Sequence, residues 1–246
     1  MRKTRDPIDT ADLPWQNANA DVSFKLLNGS REKGPHTMLL RSAARDPNPP
    51  RGQYHPADEE LFGLGGSFTF DGSTWFKKGS YAFYPAYFVH GTNVHVRGGY
   101  ELYVRISDTN KLWWEECPKS NTPYLLEGHV SGENFVQLAS VNEVQPGTVS
   151  CDVPGLIARP LQIHNETGKG STLIEFSNSD AGIVLEAPNL LEVFTLSGVY
   201  KMANSPEMRA HSYMCDASNL ASLRIHCKTA GAVMVSHGGE MRISHA

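Results

Sequence analysis

Ten residues, Gln53 to Phe62, read QYHPADEELF and hold the densest set of groups able to do chemistry. Gln53 and His55 are two apart, so on a strand both side chains leave from one face. Pro56 marks a turn, and Glu59 and Glu60 open the apolar run that follows. Further along, GSYAFYPAYFVHG brings in His90 after a strand and a proline-marked turn. A divalent metal site needs donors from different strands and a position left open for water or substrate. Two imidazoles and a carboxylate meet that need. The same residues also suit a plain polar turn, because a histidine before a proline and a glutamate pair at a strand start are common on surfaces.

Strands must position these groups. Short runs rich in Val, Ile, Tyr, Phe and Thr recur, among them ELFGLGGSFTF, SYAFYPAYFV, YELYVRIS, STLIEFS, LEVFTLSGVYKM and GAVMVS. Gly, Pro, Asn and Asp separate them, which predicts an all-β sandwich or barrel. The stretch from Arg45 to Gly52, RDPNPPRG, reads as a loop entering a strand.

An internal repeat organises the chain. PADEELFGLGGSF aligns with PNLLEVFTLSGVY, placing Pro56 on Pro188, Glu60 on Glu192, Phe62 on Phe194 and Gly66 on Gly198, a step of 132 (188 less 56). The same step carries the run at Gly99 to the run at Gly231. It sends Gln53 to Leu185, His55 to Ala187, Glu59 to Leu191 and His90 to Ser222, emptying all four positions together. Glu60 alone keeps its carboxylate. The four therefore read as one functional unit, with Glu60 structural. The expected organisation is a site-bearing domain over 1–120, a boundary region over 121–150, and a second β-domain without ligands over 151–246.

Charge is nearly balanced, with 22 basic and 26 acidic residues. No basic cluster argues for nucleic-acid binding. No run is long and apolar enough for a membrane span or signal peptide, so a cytoplasmic protein is expected. Cys117, Cys151, Cys215 and Cys227 form no CxxC pair and read as buried thiols. The opening MRKTR reads as a loose end. Tyr81, Phe83, Tyr100, Tyr103 and Arg105 lie on strands able to line a pocket. Arg105 is the candidate to hold a carboxylate or enolate. His95 reads as a surface or lining residue, and WWEEC (Trp113 to Cys117) as packing against a neighbouring domain or subunit.

With these residues in view, the chain resembles the cupin superfamily. The first cupin motif is HxH, three or four residues, E, six residues, G. Here His55 is followed by three residues, Glu59, and six more before Gly66. The second motif is G, five residues, PxGxxH; here Gly79, Pro85 and His90 fit, with Tyr87 in place of its glycine and Gln53 in place of the first histidine of HxH. FKLLNGSREKGPHTMLLR, EELF and GSYAFYPAYFVHG look most like the branch holding acetylacetone-cleaving dioxygenase and ChrR-type cupins. The resemblance implies a bicupin of two tandem jelly-roll barrels with one divalent metal ion (Fe, Zn or Mn) on His55, Glu59 and His90. Gln53 is then a weaker fourth ligand or a group bonded to metal-bound water. It further implies a small-molecule substrate, a homodimer, and C–C bond cleavage of a β-diketone-like or aromatic ketone. The alternatives are a metal-binding sensor or a redox-neutral isomerase, lyase or hydrolase.

Overall fold

The computed structural model describes residues 2–43, 51–147, 153–202 and 205–246. Cys151 and most of RDPNPPRG lie outside the described residues. The chain divides into two compact units, one of Met1–Arg2 with Pro14–Glu143, the other of Lys3–Leu13 with Val144–Ala246. Residues 121–143 belong to the first unit: Tyr124–Leu125 and Val136–Leu138 are strands paired to Phe88–Val89 and Tyr81–Tyr84. From Arg2 onward the opening segment is not loose. Arg2 donates to Thr37 Oγ1 and to the carbonyls of His36 and Ile106, and Arg5–Asp9 pairs with Ser212–Asp216.

The main sheet of the first unit is antiparallel and runs Val136–Leu138, Tyr81–Tyr84, Glu59–Thr69, His95–Ile106, His36–Ser42, Val22–Gly29, Gln16–Asn17. A smaller layer pairs Gly52–Tyr54 with Trp113–Glu115, and a bridge from Gln53 to His90 ties it to Phe88–Val89. The sheets do not close by hydrogen bonding among the described residues, so the jelly roll is an open sandwich and not a sealed barrel.

Strand alternation sorts the side chains of the main sheet into two faces. One row across it runs Tyr84, Glu59, Ile106, His36; the next runs Phe83, Glu60, Arg105, Thr37. The first row faces the core, with Met38, Leu61, Ala82, Leu102 and Val104 beside it in register. Adjacent glutamates are thereby sent to opposite sides.

The second unit repeats the plan in a sheet ordered Arg5–Asp9, Ser212–Asp216, Leu191–Met202, Leu220–His237, Gly170–Phe176, Leu156–Ile163. Gly182–Pro188 joins the first half of the long strand. The step of 132 holds where Glu60 faces Phe83 and Glu192 faces Cys215. Gly66 and Gly198 both take the left-handed backbone, at φ 75° and 87°, where a side chain is strained. The step is not uniform. Glu59 faces Ile106 while Leu191 faces His237, a step of 131 on that strand (237 less 106), because the two return strands bulge differently. Gln53 faces His90 while Leu185 faces Leu223, so the counterpart of His90 is Leu223, not Ser222.

Of the cysteines, Cys215 and Cys227 are buried as expected, whereas Cys117 is exposed. No helix among the described residues is long and apolar enough to cross a membrane.

The repeat preserves one polar contact: Tyr81 Oη donates to Glu60 Oε1 at 2.8 Å, and Tyr213 Oη to Glu192 Oε1 at 2.6 Å. Glu192 and Tyr213 are both wholly buried. Tyr213→Phe removes a charge-assisted donor and is expected to destabilise the fold by about 1–3 kcal/mol. Urea unfolding measures this; a silent variant would show that the pair adds nothing to stability.

Candidate metal centre

His55, Glu59 and His90 come together inside the first unit, exposed by only 6 %, 8 % and 1 %. Glu59 sits between the imidazoles: Oε1 lies 3.7 Å from His55 Nε2, and Oε2 lies 3.1 Å from His90 Nε2. Burial alone would raise the Glu59 pKa; His55 first, then His90 and His36, outweigh it and hold the carboxylate below its usual range. Burial pushes the His55 imidazole down, towards its neutral form.

Each histidine is oriented by a backbone carbonyl. His55 Nδ1 stands 2.8 Å from Lys111 O, and His90 Nδ1 stands 3.0 Å from Phe88 O. A carbonyl only accepts, so each Nδ1 carries a proton and each ring turns its Nε2 toward Glu59. Two ring nitrogens and a carboxylate thus face one another in a buried space, with His90 Nε2 the group nearest Glu59 Oε2. Such an arrangement calls for a positive charge among the three acceptors, either a proton or a metal ion. The donor set therefore fits a divalent cation. The three do not form a tight ready-made cage, and no other trio of His, Cys, Asp or Glu does so among the described residues. They form a chain with the carboxylate in the middle.

Gln53 is held beside His90 by two backbone hydrogen bonds of 2.8 and 2.9 Å. Its Nε2 lies 3.3 Å from His90 Nε2, where the amide can donate to the ring's lone pair. Tyr84 stacks on His90 with ring centres 4.1 Å apart and planes 5° from parallel, and Phe70 meets the ring edge-on at 5.4 Å. The Tyr84 hydroxyl donates to Gln137 Oε1, and Gln137 Nε2 donates to Asp71 Oδ2. Burial, with Glu59 and Asp71 nearby, keeps Tyr84 protonated far above its ordinary range.

Tyr87, where the motif has glycine, adopts that left-handed backbone all the same, at φ 66°. Its amide donates to His55 O at 2.7 Å, its carbonyl accepts from Leu126, and its ring stacks on His129 with centres 3.8 Å apart. The strained turn thus fixes the backbone of His55.

The expected pocket residues fall elsewhere. Tyr81 and Arg105 both bond Glu60, and Phe83 shares their row. Tyr103 lies in the next row of that face, opposite Phe62. Alternation places all four on the opposite side of the sheet from Glu59, so they do not join the cluster. His95 bonds Asn93 and stays apart. Trp113 and Trp114 are 43 % and 36 % exposed on a strand paired with Gly52–Tyr54; within the unit they flank the strand bearing Gln53. Sequence reasoning missed Tyr84, one residue beyond Phe83 and so on the facing side; counting by twos from Glu59's row finds it. Lys111 and Gln137 act from loops and strands distant in sequence, and no local signal marks them.

In the second unit the matching positions are Leu185, Ala187, Leu191 and Leu223, all within its hydrophobic core. A cavity of about 640 Å³ opens in this unit, bordered by Thr172, His237 and Arg242 among others. None of His55, Glu59 or His90 borders it; the chemistry follows the converging donors, not the volume.

A family profile described as the ChrR cupin-like domain matches residues 3–106. No curated protein matches the sequence. Among solved structures, a candidate dioxygenase from Nostoc punctiforme superposes with a TM-score of 0.78 at 16% identity, over 97% of this chain and 84% of that one. Salicylate 1,2-dioxygenase from Pseudoaminobacter salicylatoxidans, in adducts with gentisate, gives 0.64 at 11% identity, covering 99% and 85%. A mutant oxalate decarboxylase from Bacillus subtilis gives 0.60 at 10% identity, covering 98% and 79%. At these identities the likeness shows the fold.

The carbonyl contacts predict the tautomer of both rings. In metal-free protein near neutral pH, long-range proton–nitrogen NMR should find the His55 proton on Nδ1. A proton on Nε2 would remove the argument that three acceptors face one another.

Proposed function

We propose that the chain is a cupin-superfamily protein that binds one divalent metal ion on His55, Glu59 and His90, with Gln53 beside it. We propose further that it is an oxygen-dependent enzyme cleaving a C–C bond of a small β-diketone-like or aromatic ketone substrate. The observation carrying the metal reading is the buried carboxylate set between the Nε2 atoms of two buried imidazoles. When bound, a cation such as Fe, Zn or Mn supplies Lewis acidity toward a carbonyl or enolate and, in the case of iron, access to oxygen chemistry.

The chain's own residues do the rest. Lys111 and Phe88 carbonyls lock the rings, Tyr84 and Phe70 keep water from His90, and Gln53 offers an amide that either donates or accepts. The dioxygenase step rests on the company of the fold, which also includes a decarboxylase, and a fold alone does not choose a reaction. One observation favours a second reading, a metal-binding module without turnover: the matched profile is that of a ChrR cupin-like domain.

Elemental analysis of protein purified without added metal tests the centre. Close to one equivalent is expected in the natural protein and in Glu60→Gln, with loss of most of it in His55→Ala, His90→Ala and Glu59→Gln. Full metal in the His55 and His90 variants would sink the site. Oxygen consumption with a ketone panel then separates oxidative cleavage from redox-neutral chemistry, and metal without any turnover supports the second reading.

A further inference from the structure

Around His90 the contacts of the first unit close into a ring. Tyr84 lies parallel to the imidazole with centres 4.1 Å apart, and Phe70 meets both rings edge-on, 5.4 Å from His90 and 5.9 Å from Tyr84. The Tyr84 hydroxyl reaches Gln137 Oε1 at 2.8 Å, and Gln137 Nε2 reaches Asp71 Oδ2 at 2.7 Å. Asp71 follows Phe70 in the chain, which completes the circuit. Register explains why Gln137 arrives there. It stands opposite Ala82 on the strand Tyr81–Tyr84, so its side chain leaves from the face that carries Ala82 and Tyr84.

Asp71 anchors the circuit. Its Oδ1 accepts from the Ser73 and Thr74 amides, both at 2.7 Å, and from Thr69 Oγ1 at 3.0 Å. These bonds fold the turn and leave Oδ2 for Gln137. Partial burial favours the neutral acid, but the Thr74 and Ser73 amides, Gln137 and Thr69 outweigh it and hold the carboxylate below its usual range. A carboxylate only accepts, so Gln137 turns its NH₂ to Asp71 and its oxygen to Tyr84, and the phenol has to donate. Tyr84 also faces Glu59 across the strands. A phenol has one proton; given to Gln137, it is not available to Glu59. The charge meanwhile stays out of the interior. Asp71 and Gln137 border a cleft of about 500 Å³ shared with Thr74, Thr122 and Phe135, whereas Tyr84 and His90 are each 1 % exposed. A neutral amide and a phenol carry the directing effect of the carboxylate inward without the cost of burying it.

We propose that Asp71 and Gln137 are positioning residues for His90. The Asp71 carboxylate sets the direction of the two hydrogen bonds, these pin the phenol, and the pinned Tyr84 ring holds the imidazole with Nε2 toward Glu59. The inference rests on the metal reading only for what Nε2 would meet there; the orientation of the ring is a property of the chain by itself.

The test combines proton NMR of the metal-free full chain with zinc affinity measured by chelator competition. In the natural protein the carbon-bound protons of the His90 ring should resonate upfield of ordinary histidine positions, because the parallel Tyr84 ring shields them. Gln137→Leu should reduce that shift and weaken zinc about 10-fold or more. Tyr84→Phe, which keeps the ring and loses the hydroxyl, should do the same, and the double variant should be no worse than either single one. Asp71→Asn keeps an acceptor for the turn but lets the Gln137 amide reverse, and it should move the His90 signals in the same direction. Tyr213→Phe, which removes a buried phenol bond in the second unit, should leave both readouts unchanged. Three results would each overturn the proposal. One is folded Gln137→Leu or Asp71→Asn protein with the His90 signals of the natural protein. Another is a double variant whose zinc loss is the product of the single losses. The third is Tyr213→Phe protein that behaves like Gln137→Leu. Should Gln137→Leu fail to fold, Tyr84→Phe and Asp71→Asn decide. His90 signals that respond in protein without affinity for zinc would keep the positioning and remove the metal reading. Zinc binding indifferent to every variant, with unmoved signals, would do the reverse.

Discussion

Two adjacent glutamates on one strand cannot share an environment, and the first unit is built around that constraint. Alternation turns Glu59 into the interior and Glu60 to the opposite face of the sheet. Each carboxylate is buried, so each needs compensation. Glu60 gets it from a phenol hydroxyl and a guanidinium, which satisfy it fully. Glu59 instead lies between the Nε2 atoms of two buried imidazoles. One carboxylate closes a structural contact, while its neighbour leaves an opening for a cation.

The second unit shows that the fold does not need this cluster. It keeps the strand plan, the left-handed glycine and the Glu–Tyr contact, yet fills the four site positions with Leu185, Ala187, Leu191 and Leu223. An apolar interior is the cheaper way to pack such a sandwich, because buried charge costs more than it returns unless every partner is in place. The polar interior of the first unit is therefore an addition to the scaffold. Its supports are also local: the Phe88 carbonyl, the Lys111 loop and the Tyr84 stack all serve to aim a ring.

Much of this was legible in the residues because the relevant signals are local. Period-two runs gave the strands, the repeat gave the two units, and the emptied positions separated Glu59 from Glu60. What failed to show depends on register across strands. Whether Tyr81 or Tyr84 faces Glu59 turns on one residue of turn length before Tyr81, and the expectation fell on the wrong face. The single step of 132 broke at bulges, so His90 pairs in plan with Leu223 and not Ser222. His36 gave no signal, since a histidine in TMLL-type sequence looks like any strand residue until Ile106 is placed between it and Glu59.

In the proposed centre, Gln53 would set how strongly a cation is demanded. A second histidine there would add one more lone pair to an already electron-rich space, deepening the cost of leaving it empty. The amide behaves differently, for it carries both donors and an acceptor. With its NH₂ toward His90 Nε2, at 3.3 Å, it relieves part of the repulsion without any metal. Turned over, its oxygen would face a cation instead, though more weakly than imidazole nitrogen. The substitution thus stabilises both states of the centre and narrows the gap between them. On the proposed reading, a looser and more exchangeable metal would follow from that one amide, since His55 and His90 are oriented by backbone carbonyls.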